Sequence, residues 1–177
     1  MWSSQHNQAS RIHRRNTRRA AAPRLRAFRP KLEGLEGRTV LSTLTVLNTL
    51  DKGAGSLRDT ITNAKSGDTI EFAPSLDGQT ITLTSDELAI KKSLDIEGPG
   101  ASLLAISGNR TSRVFDISEG LTITIAGLTI EDGLATGGGG GGILNVGSTL
   151  NLSNDVLSNN TALGNLIGNT GDRKSVV

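Results

Sequence analysis

Few residues of this chain have the side chains that enzymatic catalysis usually needs. The sequence contains no cysteine, which excludes thiolate metal sites, cysteine nucleophiles and disulfides. Its two histidines, His6 and His13, both lie in a basic N-terminal arm, so a Ser-His-Asp triad or a histidine-bound metal would have to recruit that arm. The sequence therefore predicts no catalytic residue, no metal-binding residue and no cofactor.

Adjacent carboxylates occur twice, at Asp86-Glu87 and at Glu131-Asp132. In a strand such neighbours point to opposite faces, so neither pair forms a shared acid–base site. In a loop they could supply oxygen ligands to Ca²⁺, but a solvated corner is the favoured interpretation.

The glycine run Gly137–Gly142 fits the pattern Gly-x-Gly-x-x-Gly, but it has the context of a corner. No Lys-Ser/Thr follows it and it does not begin a helix, which argues against phosphate binding. Ile143 follows where the calcium-binding nonapeptide of other β-solenoids needs an aspartate. We therefore expect a flexible or close-packed corner.

Short apolar–polar alternations return along the chain about every 24 to 29 residues. A shift of 27 residues places three apolar residues of one copy on three of the next: Ile123, Ile125 and Ile130 fall on Leu150, Leu152 and Leu157. A fixed period of this size is typical of stacked units that are each too small to bury their own apolar face. A β-sandwich would need hairpin signals and would not repeat at one long period.

The alternation predicts which side chains face the interior of the stack. These residues are Leu94/Ile96, Leu104/Ile106, Phe115/Ile117, Ile123/Ile125, Leu128/Ile130, Leu150/Leu152 and Val156/Leu157. The predicted corners are Gly98-Pro99-Gly100, Gly108-Asn109, Glu119-Gly120 and Asp132-Gly133. In the last coils we expect four asparagines to stack as polar ladders: Asn145, Asn154, Asn159 and Asn160.

A short helix is predicted ahead of these coils, over Ser56–Lys65. Ser56 and Asp59 have the Ser-x-x-Asp spacing of a capping box. An apolar stripe follows at i, i+4 and i+7, formed by Leu57, Ile61 and Ala64. Such a helix suits the task of covering the exposed end of a stack.

The charge of the chain is unevenly distributed. Residues 1–38 hold ten Lys/Arg and two Glu, a balance of +8, whereas residues 39–177 hold nine Lys/Arg and fifteen Asp/Glu, a balance of −6. The first thirty residues are polar and aperiodic, so we expect a disordered basic arm. Nucleic-acid binding by this arm is a minor alternative, because no aromatic residues are interleaved for base stacking.

The segment Lys31–Ser42 resembles a sorting motif of exported planctomycete proteins, with the pattern Leu-Glu-x-Leu-Glu-x-Arg-x-x-Leu-Ser. The matching residues are Leu32, Glu33, Leu35, Glu36, Arg38, Leu41 and Ser42. In that family the motif follows an Arg-rich arm, as it does here, and the resemblance implies an extracellular or cell-surface location. A standard signal peptide is not evident, since Ala20–Phe28 is interrupted by a proline and two arginines. A short amphipathic helix is the alternative interpretation.

The block from Gly53 to Leu83 resembles the N-terminal cap of bacterial right-handed parallel β-helix proteins. The resemblance rests on a Ser-Leu-Arg-x-x-Ile motif and a Pro-Ser-Leu turn, with the matching residues Ser56, Leu57, Arg58, Ile61, Pro74, Ser75 and Leu76. It implies an all-β solenoid, and with the sorting-like motif it covers roughly residues 31–165. Family members usually carry more coils, so we expect this chain to be a truncated N-terminal piece.

Some β-helix proteins are polysaccharide lyases, which use carboxylate-bound Ca²⁺ and an arginine or lysine base. Arg110, Arg113, Lys91 and Lys92 are the residues here that such a role would require. No cluster of carboxylates is in register with them one coil away, so we interpret them as surface charges. Arg58 belongs to the cap motif and is expected to pair locally with an acid.

Five segments are predicted: a disordered basic arm (1–30), a sorting-like motif (31–42), an N-terminal cap (43–84), β-helix coils (85–165) and an irregular tail (166–177). The expected function is a non-catalytic surface or secreted scaffold, adhesive or in contact with extracellular polysaccharide or the cell envelope. The alternative is a lyase or hydrolase whose active coils lie beyond this sequence. Self-association through the uncovered C-terminal end is also expected.

Overall fold

A computed structural model describes residues 41–164 and the strand Arg173–Val176. The basic arm, the part of the sorting-like motif from Leu32 to Arg38 and most of the tail lie outside the described residues. The strands are β1 (Thr43–Val46), β2 (Thr69–Phe72), β3 (Gln79–Thr82), β4 (Leu88–Ile90), β5 (Leu94–Glu97), β6 (Leu104–Ser107), β7 (Phe115–Ile117), β8 (Thr122–Ala126), β9 (Thr129–Glu131), β10 (Leu134–Ala135), β11 (Ile143–Val146), β12 (Thr149–Ser153), β13 (Val156–Ser158), β14 (Thr161–Ala162) and β15 (Arg173–Val176). One α-helix, α1 (Leu57–Asn63), and a 3₁₀ turn at Pro74–Leu76 complete the described elements.

The strands stack into parallel sheets along a solenoid of about four turns. Sheet A has the order β1-β2-β5-β8-β12, sheet B the order β3-β6-β9-β13, sheet C the order β4-β7-β11-β15, and the small sheet D pairs β10 with β14. Every pairing is parallel except that of β11 with β15, which is antiparallel. The prediction of an all-β parallel β-helix is confirmed.

Four coils follow one another, and we number them by their residues: coil 1 (69–90), coil 2 (94–117), coil 3 (122–146) and coil 4 (149–162). β2, β3 and β4 thus already form a coil that pairs with the next, within the segment predicted as a cap. In the segment predicted as an irregular tail, the structure has the strand β15.

The register of the sheets explains the sequence period. Paired Cα positions are separated by 24 residues between Ile106 and Ile130 and by 29 between Leu94 and Ile123. The predicted superposition is confirmed, because Ile123, Ile125 and Ile130 pair with Leu150, Leu152 and Leu157. Each side chain therefore packs on its counterpart about 4.8 Å away.

The core is a set of apolar columns inside the coils. All predicted inward residues from Leu94 to Ile130 are buried, together with Ile81 and Leu83 of coil 1. The three inward leucines of coil 4 are only partly buried, since no further coil covers them among the described residues. The prediction was wrong for Val156, which is 48% exposed. Successive residues of a strand point to opposite faces, so Val156 and Leu157 cannot both face the core.

The predicted helix and its apolar stripe are confirmed. Leu57, Ile61 and Ala64 are all buried in the core, where α1 covers the first coil. Ser56 caps the helix by accepting a hydrogen bond from the Asp59 amide at 3.2 Å. Only half of a capping box forms, because the Ser56 amide donates instead to the Gly53 carbonyl at 3.1 Å.

The predicted asparagine ladders are absent from the described residues. Asn145 lies in register with Ile117, and its amide is bonded to the backbone of Ser148. Asn154 and Asn159 instead hold left-handed corner conformations, with φ of 57° and 54°. Asparagine tolerates this conformation better than most residues, so the corners select it for backbone reasons.

The stacked columns predict a position-dependent cost of truncation. Ile125→Ala removes a fully buried side chain and should lower the free energy of unfolding by about 3 kcal/mol. Leu152→Ala, its partner in register, should cost about 1 kcal/mol because that side chain is only partly buried. Urea unfolding followed by circular dichroism measures both.

The matched control is Thr124→Ala, at the outward neighbour of Ile125, which should change stability by less than about 0.5 kcal/mol. Equal costs at positions 125 and 152 would contradict a column that ends at coil 4.

Candidate functional site

The last two residues of the sorting-like motif are attached to the first coil. The Ser42 amide donates to Asp68 Oδ1 at 2.9 Å, and its carbonyl accepts from the Thr69 amide at 2.9 Å. Leu41 is 65% exposed but lies against Gly67, where an added Cβ would come within 2.6 Å of Leu41 Cδ2. These contacts show where the described fold begins, and the sorting role stays a prediction.

Arg58 of the cap motif holds three segments together. Its guanidinium contacts Asp51 Oδ1 at 2.7 Å, as expected of a local acid partner. It also donates to the carbonyls of Asp86 and Glu87 at 2.6 and 2.8 Å. The Arg58 clamp, as we call this set of contacts, joins α1 to the loop after β1 and to the loop between β3 and β4. One of the two carboxylate pairs noted in the sequence therefore contributes its backbone to a structural junction.

The acid of this clamp is tuned by its surroundings. The Asp51 side chain is only 7% exposed, and burial alone would raise the pKa of its carboxyl. Hydrogen bonds from Ser85 and Arg58, and the charge of Arg58, outweigh burial and hold that pKa below its ordinary value of 3.8. Asp51 is thus ionised in the folded protein at neutral pH, and its role is structural.

A second aspartate is tuned at the other end of α1. Asp68 accepts backbone hydrogen bonds from Lys65 at 2.7 Å and from Ser42 at 2.9 Å. These bonds lower the pKa of Asp68 below its ordinary value. Asp155, in coil 4, shows the opposite effect, because burial raises the pKa of its carboxyl despite hydrogen bonds from Leu128 and Ser153.

The four basic residues considered for catalysis are dispersed. Lys92 Nζ donates to the carbonyls of Thr62 and Ala64 at the C-terminal end of α1, a position that favours a cation. Arg113 donates to the Gly138 carbonyl at 3.2 Å, and Lys91 is an exposed residue after β4. Within residues 41–164, no group of three acidic or histidine side chains could hold a metal ion. The described coils therefore offer no calcium site for a lyase.

The glycine run between β10 and β11 is close-packed on one side. A Cβ at Gly141 would lie 2.3 Å from the Thr161 carbonyl oxygen, and one at Gly142 would meet Asn160 at 2.9 Å. The earlier glycines Gly137 and Gly138 face open space. Both parts of the expected corner, the open and the packed, are present.

The outer face of sheet A is the largest regular polar surface that the structure describes. It consists of two columns of outward residues, one from Thr43 through Thr69, Asp95 and Thr124 to Asn151, the other from Thr45 through Glu71, Glu97 and Ala126 to Ser153. Five strands span about 19 Å along the solenoid axis. Glu71 and Glu97 are direct neighbours in register, which sequence reasoning missed because their segments align only after the 26-residue offset is known.

Three open clefts lie at corners of the solenoid. One of about 410 Å³ lies between sheets C and A, beside Thr122, Asn145 and Ser148. Another of about 330 Å³ is lined by Arg110 and by residues of coils 3 and 4. The third, of about 290 Å³, borders the Arg58 clamp.

Comparisons with protein-family models, with curated proteins and with solved structures found no match. Over the part of the chain that the structure describes, no helix has both the length and the apolar character needed to span a membrane. The functional argument therefore depends on the surfaces of the solenoid.

The tuned aspartates predict an acid-sensitive cap. Asp51 and Asp68 have lowered pKa values, so their stabilisation is complete above pH about 4 and is lost as the pH falls through their folded pKa values. Asp51→Asn should lower the free energy of unfolding at pH 7 by about 1–3 kcal/mol and flatten its decline in acid. Urea unfolding between pH 2 and pH 7 measures both effects.

Asp155→Asn is the control of opposite sign. Its raised pKa means that protonation favours the folded state as the pH falls toward 4, and the variant should lose that small gain only. A decline in acid that is equally steep in Asp51→Asn and in the parent chain would contradict the role given to the clamp.

Proposed function

We propose that this chain is a non-catalytic, exported or cell-surface scaffold whose solenoid contacts extended polysaccharide. The supporting observation is the outer face of sheet A. Its polar side chains stand in register on five parallel strands, so hydroxyl, amide and carboxylate groups repeat at a fixed spacing. A regular row of hydrogen-bonding groups suits a polymer that presents regular hydroxyls, and solenoids provide such elongated surfaces.

The dispersed ionisable groups also support a scaffold over an enzyme. In the described coils the basic residues form hydrogen bonds to backbone carbonyls or are exposed, and the tuned aspartates have backbone partners or the Arg58 clamp as their partners. An active site requires a titratable group within reach of a reacting atom in a shared cleft. The export part of the proposal is supported by the sorting-like motif that precedes β1.

Retention by polysaccharide tests the contact surface. In native gels cast with a neutral glucan, galactan or mannan, the chain should migrate more slowly than in a plain gel. Thr122→Val and Thr124→Val together remove two hydroxyls of the sheet A face while keeping strand-forming side chains. We expect this double variant to bind several-fold more weakly.

Thr80→Val, which removes an exposed hydroxyl from the outer face of sheet B, is the matched control and should keep full retention. The scaffold proposal would be abandoned if the protein, in this or a longer form, released unsaturated uronates from pectin in a Ca²⁺-dependent reaction.

The end of coil 4 predicts self-association. β12 and β13 have one neighbour each among the described strands, and Val156 and Leu163 are 48% and 58% exposed there. Unpaired strand edges with apolar side chains favour pairing between molecules. Sedimentation should show association that rises with concentration and that Val156→Lys reduces, whereas Ala89→Lys on β4 should not. A monomer at all concentrations would refute this prediction.

A further inference from the structure

The corner after β6 holds an arginine where the backbone favours glycine. Asn109 and Arg110 both have φ of 54°, and the Thr111 amide donates to the Gly108 carbonyl at 3.0 Å. Two successive positive φ values closed by this hydrogen bond mark a type I′ turn, whose preferred residues are Asn-Gly. Asparagine tolerates the left-handed region, but a long side chain such as arginine is strained in it.

Local pairing does not explain this choice of residue. The Arg110 side chain is 76% exposed, and its Nε donates to Asp132 Oδ1 at 3.2 Å. An ion pair so open to solvent stabilises a fold very little. In the described residues, no hydrogen bond uses the two terminal amino groups of Arg110 or the second carboxylate oxygen of Asp132. The turn therefore keeps a strained residue whose side chain presents unused donors to solvent.

Those donors line the cleft of about 330 Å³, at the lower end of the roughly 300–1,000 Å³ typical of small-molecule sites. Three successive coils contribute to it: Arg110 from the corner of coil 2, Gly133 and Leu134 from coil 3, and Asn159 and Thr161 from coil 4. Donors, acceptors and a hydroxyl thus lie side by side, next to the apolar surface of Leu134. Paired hydroxyls and the C–H face of a sugar ring match this combination.

The charge of the molecule favours a neutral ligand. Residues 41–164 hold seven Lys/Arg and fourteen Asp/Glu, a balance of −7, and Asp132 lies directly beside the Arg110 guanidinium. A polyanion would be repelled by this surface, whereas a neutral sugar would not.

We propose that the cleft formed by Arg110, Asn159 and Thr161 is a subsite for one or two sugar units of a neutral polysaccharide. It rests on the proposed polysaccharide contact and adds a second, corner site to the sheet A face. Arg110 supplies its terminal donors to neighbouring hydroxyls, and the strained turn holds the guanidinium at the mouth of the cleft.

Arg110→Gly tests the proposal because it gives the turn its preferred residue while removing the donors. Its thermal midpoint should rise by about 2–6 °C, since glycine relieves the positive φ. Retention in gels cast with a neutral glucan, galactan or mannan should weaken by about tenfold. Asn109→Gly is the matched control, because it changes the other strained residue of the same turn, which does not line the cleft, and should keep full retention.

Each outcome decides the proposal. Loss of retention in Arg110→Gly with a raised midpoint and a normal Asn109→Gly supports it. Full retention in Arg110→Gly overturns the subsite but leaves the sheet A contact standing, and a lowered midpoint overturns it by giving Arg110 a structural role. Retention only by polygalacturonate that salt abolishes overturns the neutral ligand, and retention by no polysaccharide overturns both the subsite and the polysaccharide contact.

Discussion

The contact on which the structure depends is the stacking of identical or similar aliphatic side chains from one coil to the next. In the column of sheet A that runs through Ile70, Ile96 and Ile125, each side chain packs on its counterpart in register. No coil could bury its apolar residues alone, so the stability of each derives from its neighbours. The corners, the clamp and the polar faces all depend on that register, because a slip of one residue would turn every inward side chain outward.

Much of this architecture could be predicted from the sequence, because the physical constraint is periodic. The 27-residue shift identified the pairs that join Ile125 to Leu152, and the stripe from Leu57 to Ala64 identified the helix. Val156 failed because two adjacent apolar residues leave the phase of a short strand ambiguous, and only the paired register resolves it. The asparagine ladders failed because the corners select asparagine for its backbone conformation.

The candidate surfaces were much harder to predict than the core. Glu71 and Glu97 are far apart in the sequence, and the unequal offsets of 24 to 29 residues hide their contact until the coils are aligned. Arg110 has a signal in hindsight, since Gly-Asn-Arg departs from the Asn-Gly expected of its turn. A departure from local preference gains meaning only once the cleft beside it is known.

The Arg58 clamp has a consequence for how the chain acquires its structure during synthesis. It joins residues that are only 7 to 29 positions apart, all within the first ninety residues. The ribosome releases this portion before the later coils exist, and domains commonly fold in the order in which they emerge. A closed first rung then offers a ready template, so each new rung has to find only the one preceding it. Vectorial growth of this kind keeps contact order low even as the column lengthens.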